Sequence, residues 1–128
     1  VRHRTAAVAQ RRTSQNLRIL NPMWQLTPLE LQRMLASDRD PPLLLDVREP
    51  WEVAVAWIEG AFNLPMGRVV NGWRQLDPAR ETVVICHHGF HSAQVVLFLK
   101  RAGFERVANL DGGIDAWSRE VDPTVPTY

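Results

Sequence analysis

The stretch TVVICHHGFHSAQVVLFLK, running from Thr82 to Lys100, decides how the rest of the chain is read. Val83, Val84 and Ile85 make a continuous apolar run, the clearest strand signal in the chain. The run stops at Cys86, the one cysteine in the sequence. A glycine-containing, mostly polar loop follows, His87-His88-Gly89-Phe90-His91-Ser92, with three of the chain's four histidines. From Ser92 onward Val95, Val96, Phe98 and Leu99 recur at helical spacing, and Gly103 predicts the helix C-cap. The segment reads strand, cysteine, loop, helix. Either Cys86 is a thiol presented by the loop for chemistry, or it is a core cysteine with polar neighbours.

The flanking sequence continues the alternation. On the N-terminal side, LTPLELQRML places Thr27 as N-cap, Pro28 at the first helical position and Glu30 where it completes a capping box. Leu31, Met34 and Leu35 then share one helical face, and ASDRDPP ends the helix. LLLDV predicts a second buried strand. REPWEVAVAWIEGA predicts a short helix that starts near Pro50 and is ended by Gly60. AFNLP predicts a short strand closed by Pro65, and MGRVVNGWRQLDPAR a weak helix mixed with turns. On the C-terminal side, RVANLDGG predicts a strand entering a tight turn at Gly112 and Gly113, IDAWSREV a last helix, and DPTVPTY a tail. Strands alternating with helices predict an α/β domain with a central, mainly parallel β-sheet flanked by helices. Ligands of such sheets collect beyond the carboxyl ends of the strands. Asp46, at the end of LLLDV, and Cys86 are therefore expected on one edge.

The length suits one domain with a real core. The 45% hydrophobic and 23% charged content is that of an ordinary soluble globular protein. A net charge of +1 supplies no field for nucleic acid. No apolar run reaches membrane-spanning length, so neither nucleic acid nor a membrane is expected as a partner. One cysteine excludes an intramolecular disulfide and fits a reducing compartment, read as the cytoplasm. Residues 1–22 contain five arginines and no acidic residue. They read as a flexible basic arm ahead of a domain over 23–128. An Arg-rich, acid-poor arm also fits an organelle transit peptide, but an upstream extension or cloning remnant is the preferred reading.

The loop suits sulfur chemistry. The thiolate, not the thiol, is the nucleophile. Unpaired amides at the start of the following helix favour an anion there. Gly89 permits a bend that aims successive N–H groups inward as a nest. The same cradle would hold an anionic substrate. This reading expects a sulfur atom kept anionic by main-chain amides and open to solvent.

Three segments in order, LLLDVREPWEVAVAWIEGAFNLP, VVICHHGFHSAQVVLFLKRAGF and VANLDGGIDAWS, together resemble the single-domain rhodanese family of sulfurtransferases. The resemblance covers the chain from about Met23 to the end. It implies Cys86 as the catalytic nucleophile, with His87, His88, Gly89, Phe90, His91 and Ser92 binding substrate. Asp46 and Arg48 match the family's DVR, and Glu52 is similar to an acidic residue near its pocket. The implied reaction takes a sulfane sulfur from thiosulfate or a persulfide donor onto Cys86 and passes it to cyanide or a thiol, a protein acceptor included, with no metal or organic cofactor. The family loop commonly reads Cys-x-x-Gly-x-Arg-Ser, and His91 stands at the arginine position. Arginine carries a permanent charge and a rigid fork of donors. Histidine titrates near ~6.5 when unperturbed, so thiosulfate use should weaken as pH rises through that range, or a less anionic donor be preferred. Trp57 and Glu59 also replace family residues commonly seen as histidine and proline, so a loop near that strand end differs.

Plainer readings stand beside these. Asp46 and Arg48 could serve structural support alone, and Glu52 could be a solvated helix carboxylate. A Cys/His metal site is disfavoured because consecutive loop residues rarely converge on one tetrahedral ion. The five tryptophans are expected mostly in the core or a pocket wall, with Trp117 in the core and Trp51, Trp57 and Trp73 less certain. A related phosphatase or arsenate reductase would need an arginine where Ser92 stands. A rhodanese-like binding or regulatory module without enzymatic activity is the main alternative. A redox sensor would lack a resolving cysteine in the chain.

Overall fold

The structure, a computed structural model, describes residues 24–37 and 40–128. The basic segment 1–22 and its expected boundary with the domain lie outside those residues. Along the chain run β1 (Gln25–Leu26), α1 (Pro28–Ser37), β2 (Leu43–Asp46), α2 (Pro50–Val55), β3 (Phe62–Asn63) and α3 (Met66–Gly72). A short 3-10 turn, Trp73–Gln75, leads to β4 (Thr82–Ile85), α4 (Phe90–Arg101), β5 (Val107–Leu110) and α5 (Gly113–Glu120). The expected α/β architecture is present. The five strands lie in the order β1-β5-β4-β2-β3, and every neighbouring pair is parallel.

Local chemistry sets several boundaries. At α1 the capping box forms as read: Thr27 N–H donates to Glu30 Oε1 (2.9 Å) and Glu30 N–H to Thr27 Oγ1 (3.1 Å). At the end of α4, Gly103 takes φ +108° and Phe104 N–H returns to the carbonyl of Leu99 (3.0 Å). Other boundaries differ from expectation. Helix α4 begins at Phe90, two residues before Ser92, because Gly89 at φ +94° already turns the chain. Helix α2 stops at Val55, well before Gly60, with Ala56 extended and its N–H bonded to the carbonyl of Glu52. Strand β1 had no sequence signature. At two residues it is too short for a period, and only pairing with Asn109 and Leu110 defines it.

Both sheet faces are covered, which explains the unbroken apolar run of β4. Val83 and Ile85 pack with Leu31 and Met34 of α1 and with Ile114 and Trp117 of α5. Val84 and Cys86 point the other way, to Val69 of α3 and to Val95, Val96 and Leu99 of α4. The carboxyl ends of β2, β4 and β5 thus meet at one edge, tied by Val47 N–H to Ile85 O (3.0 Å) and Ile114 N–H to Cys86 O (2.9 Å). Trp117 is buried as expected. Trp24 and Trp73 are partly buried against the other layer, so three of the five tryptophans pack in or on the core, while Trp51 and Trp57 are exposed.

Candidate active site

Cys86 follows β4 directly and is 5% exposed, packed in the aliphatic layer under α4. The expectation of a sulfur open to solvent is corrected here. Strand alternation turns the Cys86 side chain inward, toward the same face as Val84. The expected ring of donors is nevertheless in place. Sγ accepts from Gly89 N–H (3.0 Å), from Ser92 N–H (3.4 Å) and from the Ser92 hydroxyl (3.1 Å). Ser92 is the third residue of α4, so its amide has no partner within the helix, and the sulfur serves as the acceptor. This places Sγ at the positive end of the α4 dipole.

Three glycines let the backbone close round the sulfur. Gly113, at φ +65°, lies where an added Cβ would meet His87 O at 2.4 Å and Cys86 O at 2.5 Å. Gly89 would put a Cβ 3.0 Å from Gly112 N. The glycine pair expected to make a turn therefore also admits the start of α5 against the loop. Asp115 N–H then donates to His87 O (3.1 Å).

Asn109, on β5, went unread in the sequence. It is buried and joins the loop to the sheet: its Nδ2 donates to Gly89 O (3.0 Å) and Gln25 Oε1 (2.9 Å), and its Oδ1 accepts from the Ser92 hydroxyl. An asparagine inside the apolar strand VANL was the available signal, since a buried amide requires partners.

Asp46 ends β2 and Arg48 lies just beyond it; both are buried and form a bidentate pair. Arg48 Nη2 donates to Asp46 Oδ2 (2.7 Å) and Nε to Oδ1 (2.9 Å). The guanidinium also donates to Ala56 O (2.6 Å), Glu52 O (3.2 Å) and the Tyr128 hydroxyl (2.8 Å). Burial works against the charge, but the bonds to Asp46 and Tyr128 outweigh it and hold the Arg48 pKa above its ordinary value. The pair ties β2 to α2 and to the C-terminal tail. The carboxylate of Glu52 accepts from the Tyr128 hydroxyl (2.9 Å) and from Glu49 N–H (3.0 Å), so it is more than a solvated helix charge.

Tyr128 is the second unread residue, and a lone tyrosine in a tail carries no periodic signal. Its ring stacks on His87 (3.9 Å between centroids), and His87 stacks in turn on His88 (3.9 Å). His88, Phe90 and His91 are exposed round the loop, Phe90 at 78%. Among the described residues, His87, His88 and Asp115 bring possible metal-ligand atoms within 4.8 Å of one another. The two imidazole planes are only 29° apart, so their in-plane lone pairs run side by side instead of meeting at one tetrahedral ion. Asp115 is also held by Arg119 Nε (3.0 Å), and this bond keeps its carboxyl below the usual range.

The site can hold an anion at Sγ and can bring an anionic donor to the positive end of α4. Among the described residues, no helix is long and apolar enough to cross a membrane. The family model described as rhodanese-like domain matches residues 27–120. The chain is 34% identical over 122 residues to the rhodanese-like/PpiC domain-containing protein 12, chloroplastic, of Arabidopsis thaliana; the match covers 88% of this chain but only 40% of that protein. It is 37% identical over 89 residues to a sulfurtransferase of Allochromatium vinosum, covering 70% of this chain and 83% of that one. The crystal structure of a rhodanese-related protein from Thermoplasma volcanium matches with a TM-score of 0.71 at 30% identity, over 81% of this chain and 98% of that one.

Proposed function

The chain belongs to the rhodanese-like domain family, and from that premise we propose that it is a sulfurtransferase working through a persulfide on Cys86. The Cys86 thiolate attacks the outer sulfur of thiosulfate. A bond forms between Sγ and that sulfur, the donor's S–S bond breaks, and the electron pair leaves with sulfite. With a persulfide donor the pair leaves on a thiolate. Cyanide, a small thiol or a protein thiol then attacks the outer sulfur, and the Cys86 thiolate is the leaving group. The electrons balance without an external oxidant or reductant.

One observation carries this reading: the amides of Gly89 and Ser92 and the Ser92 hydroxyl, from the loop and the first turn of α4, all face Sγ. Hydrogen bonds to a charged acceptor contribute roughly 1.5–3 kcal/mol each. A core cysteine acting as a small hydrophobe has no use for them. His87, His88, Phe90 and His91 form the rim a donor meets, and Asp46, Arg48 and Glu52 brace the edge behind it. A reducing compartment such as the cytoplasm suits a chain that relies on its only cysteine. The plant relative is described as chloroplastic, which speaks for that protein.

The 5% exposure of Cys86 favours a second reading, a rhodanese-like module that keeps the loop for contacts only. Intact mass after incubation with thiosulfate, and separately with a persulfide donor, decides between them. The transferase gains one sulfur atom on Cys86, and cyanide removes it. Absence of the adduct with every donor tried leaves the module.

A further inference from the structure

We infer that Asn109 is a positioning residue whose carbonyl competes with Cys86 for the single proton of the Ser92 hydroxyl, so that this hydroxyl reports and adjusts the state of the sulfur. The inference rests on the reading of Cys86 as the working thiol.

The direction of the Asn109 amide follows from its neighbours. Gly89 O is a carbonyl and can only accept, so the Asn109 atom facing it at 3.0 Å is Nδ2. Gln25 Oε1 takes the other hydrogen of that nitrogen at 2.9 Å. The remaining atom, Oδ1, therefore faces Ser92 and is an acceptor only. Ser92 Oγ lies between this oxygen and Sγ, 3.1 Å away. A hydroxyl has one proton, and it can satisfy only one of two buried acceptors at a time.

The states follow from this count. When Cys86 is a thiol, its S–H donates to Ser92 Oγ and the Ser92 hydroxyl donates to Asn109. When the thiol proton leaves to solvent, the hydroxyl turns to the thiolate and Asn109 Oδ1 loses its donor. When a persulfide forms, the negative charge moves to the outer sulfur, Sγ becomes a weak acceptor and the hydroxyl returns to Asn109. Asn109 thus disfavours the thiolate relative to the thiol and the persulfide. It opposes the two loop amides, which cannot turn away. The sulfur is kept from being so well solvated by donors that it loses nucleophilicity.

Other charged or titratable groups stand on the elements around the sulfur: His87 and His88 on the loop, His91 on α4, Asp115 on α5, and the Asp46–Arg48 pair at the end of β2. None of them depends on the Ser92 hydroxyl, so the difference between backgrounds with and without that hydroxyl isolates the part of the Asn109 effect that passes through it.

The test is the pH profile of Cys86 alkylation by iodoacetamide in Asn109→Leu, Ser92→Ala and the double variant, with folding checked by circular dichroism. Asn109→Leu frees the hydroxyl for the thiolate and moves the midpoint down by roughly one pH unit, about tenfold in thiolate fraction at a pH below both midpoints. In the Ser92→Ala background the same substitution moves the midpoint clearly less, and what remains comes through the lost Nδ2 bond to Gly89 O. Asn109→Asp keeps an acceptor toward Ser92 and adds charge. It moves the midpoint up in both backgrounds, and further where Ser92 is present. If Asn109→Leu does not fold, the Asn109→Asp pair decides alone. Equal shifts with and without Ser92, or no shift in folded variants, overturn the inference. Alkylation needs no sulfur turnover, so a protein that shows this coupling but accepts no sulfur refutes the proposed function and leaves the inference standing.

Discussion

The ring of Tyr128 lies flat on the imidazole of His87, with 3.9 Å between centroids and 2° between planes. The residue after the candidate nucleophile is thereby held by a side chain 41 positions further along the sequence. The same tyrosine meets Trp51 edge-on at 6.2 Å and bonds both Arg48 and Glu52. The tail closes one flank of the loop.

Tyr128→Phe keeps the stack and loses the hydroxyl, and is expected to cost about 1 kcal/mol of stability. Tyr128→Ala is expected to cost roughly 2–3 kcal/mol, less than a fully buried aromatic, because the ring is partly exposed. Urea unfolding measures both. Equal losses for the two variants would mean that the ring contacts contribute nothing.

The chain has one tyrosine, so tyrosinate absorbance reports Tyr128 alone. Burial, with the bond to Glu52, pushes the phenol up to about 12 against the opposing influence of Arg48. The unfolded value is about 10. A folded pKa above the unfolded one means that the neutral phenol's contribution is fully present below pH ~10 and is lost as pH rises toward ~12. Ultraviolet titration of the native protein should show a midpoint near the upper value. A midpoint at the model-peptide value would show that the tail is not docked in solution.

Arg48→Met leaves the Asp46 carboxylate buried and unpaired, and the expected loss is roughly 3–5 kcal/mol. Arg48→Met with Asp46→Leu should recover much of it, because no charge is then left buried. Denaturant midpoints check the sign: a double variant no better than Arg48→Met would rule out the unpaired charge as the cause.

Gly113→Ala puts a methyl into the carbonyls of Cys86 and His87 at a left-handed φ. The backbone conformation alone costs about 1–3 kcal/mol for a residue with Cβ, and the close contact adds to it. Thermal unfolding should register the loss, and Cys86 alkylation should change with it as the loop is displaced. A variant of wild-type stability and reactivity would contradict this packing.

His91 stands exposed in the first turn of α4, at the family's arginine position. A permanent charge there should lower KM for thiosulfate by roughly tenfold in His91→Arg, the worth of one exposed charge-assisted contact. An unchanged KM in His91→Arg would remove His91 from substrate binding.

Much of the fold was legible because its causes are local. The β-branched run at Val83–Ile85, the capping box of Thr27 and Glu30 and the glycine at 103 act between residues a few positions apart. Their pattern names strand, helix start and helix end before any packing exists. The place of Cys86 at a strand end, and its approach to the end of β2, followed from the same alternation through the topology of parallel sheets. On its own, then, the sequence determined the α/β class, the order of elements after β1 and the loop on which the thiol sits. The tertiary structure alone decided that the sulfur is buried, that Asn109 takes one side of the Ser92 hydroxyl and that Tyr128 braces His87. Those partners are 17 and 41 positions apart. Which buried polar group or ring meets which depends on how the strands align and the tail returns, and no local preference encodes that.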